Sequence, residues 1–150
     1  MTRELFKGDV YLKKLTDAIE KAIKLSENQE EGLKNIHELG EGWVAEETLA
    51  ISLYCSLRYQ NDFSAGIIAA VNHKGDSDST GAITGNILGA WLGYEQIEDK
   101  WKKDLELLEI ILEIAGDISQ GCRINEYSGP EEDPDWERKY ISCRWKADQT

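Results

Sequence analysis

Gly75-Asp76-Ser77-Asp78-Ser79-Thr80, set between two stretches of helical periodicity, is the segment on which the reading of this chain turns. Two carboxylates two positions apart, followed by a hydroxyl, can all face one point from a tight turn. Oxygen-only donors of this kind suit a hard cation, magnesium or manganese, rather than zinc or copper. The turn opens onto a predicted helix from Ser79 to Gly93, so free backbone N–H groups would stand beside it. A cation held there could bind the phosphates of a ligand, with the helix N-terminus assisting. As a bare pattern the turn is weak. Asp and Ser before a helix are ordinary N-caps, and for an isolated Asp-x-Asp that is the commoner reading.

Outward from the turn the chain reads as helix in both directions. Upstream, Asp62 is expected to cap a helix through Phe63, Ile67 and Val71 that ends at Lys74-Gly75. Before it, Val44 to Tyr59 carries Glu46 and Glu47 in its first turn, where the helix dipole favours acids, and these are read as first-turn acids rather than catalysts. Leu49, Leu53 and Leu57 give that helix a predicted buried line. A short polar helix around Glu30 to Leu39 is stopped by Gly40. Leu12, Leu15, Ile19, Ala22 and Ile23 form a stripe at helical spacing, with Asp9 as its N-cap.

Downstream, Gly81, Gly85, Gly89 and Gly93 recur every fourth residue. Glycine inside a helix costs roughly 0.5–1 kcal/mol relative to alanine, so four of them require a reason. Close approach of a neighbouring helix is the first reading and approach of a ligand the second. Leu105 to Ile118 is apolar on nearly every side, which predicts a core helix whose wet edge is Glu106, Glu109 and Glu113, a solvated face rather than a ligand set. From Gln120 the pattern fails. Gly121, Pro130, Glu131 to Asp133 and Pro134 read as an irregular tail, pinned back by Trp136, Tyr140 and Trp145. The expected organisation is all-α, with a helical domain over 1–120 and an irregular tail over 121–150.

A net charge of −12, spread along 150 residues, argues against nucleic acid as a partner, because phosphate binding needs a basic surface. It leaves room for a small phosphorylated ligand, since a bound divalent cation reverses the local field. The 41% hydrophobic and 31% charged fractions are those of a globular protein of about one domain. The start, Met1 to Asp9, lacks the apolar run of a signal peptide, and Gly81 to Gly93 is too short to span a bilayer. Cys55, Cys122 and Cys143 are odd in number; Cys55 is expected as a buried thiol, and a Cys122–Cys143 bridge is left open. The expectation is a cytoplasmic protein.

Three motifs in order narrow the reading: Leu39-Gly-Glu-Gly-Trp-Val-Ala-Glu-Glu-Thr-Leu-Ala-Ile-Ser-Leu-Tyr54, then Asp62-Phe63, then Ala69 to Trp91 with the acidic turn inside it. This series closely resembles the C-terminal half of the ADP-ribosylglycohydrolase family, which includes the dinitrogenase-reductase-activating glycohydrolases. The resemblance runs from about Gly40 to about Ile118. The tail with Gly121-Cys122 and Trp136 to Tyr140 looks like an extension found in some bacterial members. It implies an all-α fold with two divalent cations, Mg²⁺ or Mn²⁺, in a cleft. One ligand set is a Gly-Asp-x-Asp-Thr/Ser turn that maps onto Asp76, Asp78 and Ser79. It implies hydrolysis of the glycosidic bond joining ADP-ribose to a modified side chain. It also implies that the Gly40-Glu41-Gly42-Trp43 loop borders the ligand, so Gly42 and Trp43 are candidate substrate-binding residues; Trp43 could equally be a core anchor at a helix start. His73 is read as packing or hydrogen bonding. No catalytic residue is assigned.

The chain also departs from the family. Members carry an N-terminal half with a Thr-Asp-Asp type motif that supplies further metal ligands, whereas here Thr16-Asp17 is followed by Ala18. The resemblance therefore implies half of a dinuclear site. The missing half would come from another chain or a second copy, covering apolar surface left open. The alternative is a helical module that binds an ADP-ribose-like ligand or self-associates without catalysis.

Overall fold

The structure, a computed structural model, describes residues 10–28, 32–121 and 134–142. Every regular element among them is helical, as the apolar periodicity requires. The chain forms two compact units, Met1–Asp104 and Leu105–Thr150. The first holds α1 (Val10–Ser26), α2 (Gly32–Leu39), α3 (Ala45–Arg58), α4 (Phe63–Val71) and α5 (Ser77–Leu92), followed by two 3₁₀ turns at Tyr94–Gln96 and Asp99–Trp101. The expected Asp9 cap and residues 29–31 of the short helix lie outside the described residues.

α3 is the central helix of this unit, packed against α1, α2, α4 and α5. Its position explains why the predicted line Leu49, Leu53, Leu57 is not the buried one. With neighbours on several sides, Thr48, Ala50, Ile51, Ser52, Tyr54, Cys55 and Ser56 are the residues that become buried, while Leu57 is exposed. The small hydroxyl residues satisfy themselves on the helix backbone: Ser52 and Ser56 donate to the carbonyls four residues earlier, at 2.8 and 2.7 Å. Ala22, Ile36, Leu39 and Ala70 from the surrounding helices complete the core. Asn35 crosses it, its Nδ2 donating to the Tyr54 hydroxyl at 3.2 Å.

Asp62 caps α4 as expected, its carboxylate accepting the Ala65 N–H at 2.8 Å. α5 then lies along α4, and the glycine row is a packing device at one end only. A Cβ on Gly81 would fall 2.6 Å from Val71 Cγ1, and one on Gly85 3.5 Å from Ile67 Cδ1. Gly89 faces Ile97 at an ordinary 3.9 Å, and Gly93 ends the helix at φ +82°. The segment after α5 is tied to the start of α4. Trp101 Nε1 donates to the Ser64 hydroxyl at 2.7 Å, and that hydroxyl donates to the Glu98 carboxylate.

The second unit holds α6 (Leu108–Gln120) and α7 (Pro134–Trp136), which runs on into a π-helical turn, Glu137–Ile141. The prediction of a core helix here is overturned among the described residues: α6 has no buried residue, and Ile118 is 71% exposed. Nor are its acids simply solvated. Lys139 lies between Glu113, at 2.6 Å, and Asp117, and the Tyr140 hydroxyl also donates to Asp117. The Trp136 and Tyr140 rings meet at a tilt of 49° with centroids 4.5 Å apart. The expected Trp145 contact and the Cys122–Cys143 bridge lie outside the described residues.

Candidate functional site

The acidic turn is built by helix capping. Asp76 is the N-cap of α5, which begins at Ser77, two residues earlier than the start read from sequence, and its carboxylate accepts the Ser79 N–H at 3.3 Å. Ser77 and Asp78 therefore form the first helical turn. Asp78 is exposed, and Asp76 and Ser79 are half-buried. The Asp76 carboxyl is held below the usual carboxylate range, first by its hydrogen bond with the Asp78 carboxyl and next by that with the Ser79 side chain. Asp76 thus stays ionised to a lower pH than an ordinary aspartate.

His73 braces the turn from behind. The Gly75 N–H donates to His73 Nδ1 at 3.1 Å, so in the neutral ring the proton sits on Nε2, which faces Thr80 Oγ1 at 2.9 Å. Thr80 is buried, and its hydroxyl in turn reaches the Ala70 carbonyl at 2.7 Å. Ser52 of α3 comes within 3.2 Å of the Thr80 carbonyl. Imidazole serves here as a structural hydrogen-bonding group, which agrees with the reading of His73 as a bonding residue.

The Gly40–Trp43 loop lies directly on this turn. The Asp76 N–H donates to the Glu41 carbonyl at 2.8 Å. A Cβ on Gly75 would fall 1.6 Å from that carbonyl oxygen, so only glycine permits the approach. Gly42 has φ +81°, and a Cβ there would stand 3.2 Å from Thr80 Cγ2 and 3.6 Å from Asp76 Cβ. The loop is gripped from α3 as well. Thr48 Oγ1 donates to the Gly42 carbonyl at 2.7 Å, and Glu47 Oε2 accepts the N–H groups of Glu41 and Gly42, each at 3.1 Å.

Trp43 is 68% exposed, so it is not a core anchor; its indole N–H donates to the Glu41 carboxylate at 3.1 Å. The structure thus brings Gly42 onto the turn that carries Asp76, Asp78 and Ser79, and Trp43 follows at the rim. Glu47 and Thr48 are the residues that sequence reading missed as part of this arrangement. An acid in a helix first turn carries no local mark of reaching back to N–H groups five and six residues earlier.

Two carboxylates and a hydroxyl fit a hard cation in kind but fill only part of the six oxygen positions it takes. Among the described residues no three His, Cys, Asp or Glu side chains converge to hold a metal. Thr16 spends its hydroxyl on the α1 backbone at the Leu12 and Lys13 carbonyls, both 2.9 Å away, and Asp17 is exposed. Two apolar grooves lie elsewhere on this unit. One, of about 620 Å³, is lined by Leu33, Ile36, Tyr59 and Ile68 among others; the second, of about 180 Å³, by Leu53, Leu57, Ile87 and Trp91 among others. Neither includes a residue of the acidic turn. Among the described residues no helix is long and apolar enough to cross a membrane.

The sequence model of the ADP-ribosylglycohydrolase family matches residues 2–127. ADP-ribosylhydrolase ARH3 of Mus musculus is 30% identical over 84 residues, which is 49% of this chain and 23% of that protein. The Bos taurus and Homo sapiens proteins of the same name are each 29% identical over 81 residues, 47% of this chain and 22% of theirs. The chain thus spans under a quarter of the length of these curated relatives. No solved structure matches it. With the family match over most of its length and an all-helical architecture to fit, the chain belongs to the ADP-ribosylglycohydrolase family.

Proposed function

We propose that this chain supplies the acidic-turn side of a site that hydrolyses a glycosidic bond to ADP-ribose. Asp76, Asp78 and Ser79 would hold Mg²⁺ or Mn²⁺, one or both ions of a dinuclear pair, and Gly42 and Trp43 would border the ADP-ribose. The observation that carries the reading is the 2.8 Å bond from the Asp76 N–H to the Glu41 carbonyl, because it joins the loop to the turn as one surface.

When bound, such a cation supplies a template for water and ribose hydroxyls and neutralises developing charge. The chain's own residues do the rest of the work. Asp76, with its lowered pKa, presents a charged carboxylate in neutral solution. Ser79 adds a hydroxyl donor atom, and the exposed Trp43 indole offers a flat apolar face for a nucleobase or sugar. The remaining donors would come from a further polypeptide segment, on another chain or a second copy, in a cytoplasmic protein. The relatives are more than four times as long as the stretch they share with it.

A second reading is a non-catalytic module that binds an ADP-ribose-like ligand or self-associates. It is favoured by the three-donor turn, which alone binds Mg²⁺ poorly because that ion dehydrates reluctantly. Calorimetric titration of Mn²⁺ into the chain, with and without ADP-ribose, tests the first reading. ADP-ribose-enhanced Mn²⁺ binding that disappears in Asp76→Ala is the expected result. No binding at millimolar metal in either condition would reduce the turn to a helix cap.

A further inference from the structure

We propose that Glu47 is the positioning residue of the candidate site, setting the path of the Gly40–Trp43 loop and, through it, the acidic turn; this rests on the reading that the turn holds a divalent cation. Glu47 Oε2 accepts two consecutive N–H groups, from Glu41 and Gly42, each at 3.1 Å. Gly40 makes room for that carboxylate: at φ +128° its added Cβ would fall 2.4 Å from Glu47 Cδ. The same Glu41 residue then offers its carbonyl to the Asp76 N–H at 2.8 Å. Glu41 is therefore held on one side by Glu47 and holds Asp76 on the other. One side-chain oxygen at this reach thus fixes two consecutive residues of the loop at once. Thr48 Oγ1 grips the loop at the Gly42 carbonyl, but it is Glu47 that takes the Glu41 and Gly42 N–H groups, in a loop whose glycines at 40 and 42 both have positive φ.

A plain first-turn acid would act otherwise. It would stabilise α3 through the helix dipole, any carboxylate would serve, and the loop would not respond. Two conservative variants separate the roles. Glu47→Gln keeps the reach and an acceptor oxygen but loses the charge; Glu47→Asp keeps the charge but falls one methylene short.

Amide hydrogen exchange at Asp76, followed by NMR in the Ala, Asp and Gln variants of this chain, is the test, with Ile51 in the α3 core as the fold control. Exchange at Asp76 should accelerate about tenfold or more in Glu47→Ala and Glu47→Asp and stay within about twofold in Glu47→Gln, with Ile51 unchanged. Mn²⁺ affinity, measured with the metal alone, should fall in the same order. An unaltered Asp76 amide in Glu47→Ala overturns the proposal. So does equal acceleration at Ile51, which would make Glu47 a general stabiliser, or an Asp variant that behaves as wild type while Gln does not. Should the amide follow the expected order while the unsubstituted chain binds no Mn²⁺, Glu47 keeps its role and the cation reading fails.

Discussion

At the residue scale, one thiol makes a direct test of the packing. Cys55 is fully buried in α3, and burial pushes its thiol up to about 12. Since that lies above the value of the unfolded thiol, the folded chain keeps its proton where the unfolded chain loses it. The stabilisation is complete below about pH 9 and is lost as the pH rises toward 12, at roughly 1.4 kcal/mol per pH unit. Urea unfolding at a series of pH values should show this alkaline decline in the wild type and a shallower one in Cys55→Ala. A native-state thiol that alkylates readily at pH 8 would contradict it. The buried thiol was legible in the sequence because Cys55 falls within an apolar helical pattern. The candidate site was legible in part. Asp76, Asp78 and Ser79 are candidates through the family resemblance of their turn, since their spacing alone reads as a helix cap, whereas the links from Glu47 and Thr48 to the loop depend on a backward turn at two glycines of positive φ, which no local pattern specifies.

At the scale of elements, the glycine row of α5 should divide in two. Gly81→Ala drives a methyl to 2.6 Å from Val71 Cγ1 and should destabilise the chain by about 1–2 kcal/mol even after the helix-propensity gain. Gly89→Ala meets only an ordinary contact at 3.9 Å and should stabilise it by about 0.5–1 kcal/mol. Denaturant midpoints of the two variants check the pair, and a destabilising Gly89→Ala would mean that this end of the row also packs closely. Helix existence was readable throughout the first unit because apolar spacing and caps agree, as at Asp62. Which face is buried was not, since α3 gathers neighbours on several sides and buries Thr48, Ser52 and Ser56 rather than the leucine line. The apolar run of α6 misled for a related reason: composition reports what a helix could bury, and only the packing decides what it does bury.

At the scale of the whole molecule, the described residues of the first unit form five helices arranged so that two short connections, before α3 and before α5, meet over the start of α5. Buried hydroxyls of Thr48, Ser52 and Thr80 link the helices beneath that junction. Function on this account belongs to the junction.

The most direct measurement is an NMR titration with substoichiometric Mn²⁺, whose paramagnetism broadens amides near the bound ion. Signals of Asp76 to Thr80 and of Glu41 to Trp43, including the Trp43 indole N–H, should vanish first and together, and persist in Asp76→Ala. Broadening spread evenly over the acidic surface, or centred on Glu109 and Glu113, would contradict the assignment of loop and turn to one cation-binding site.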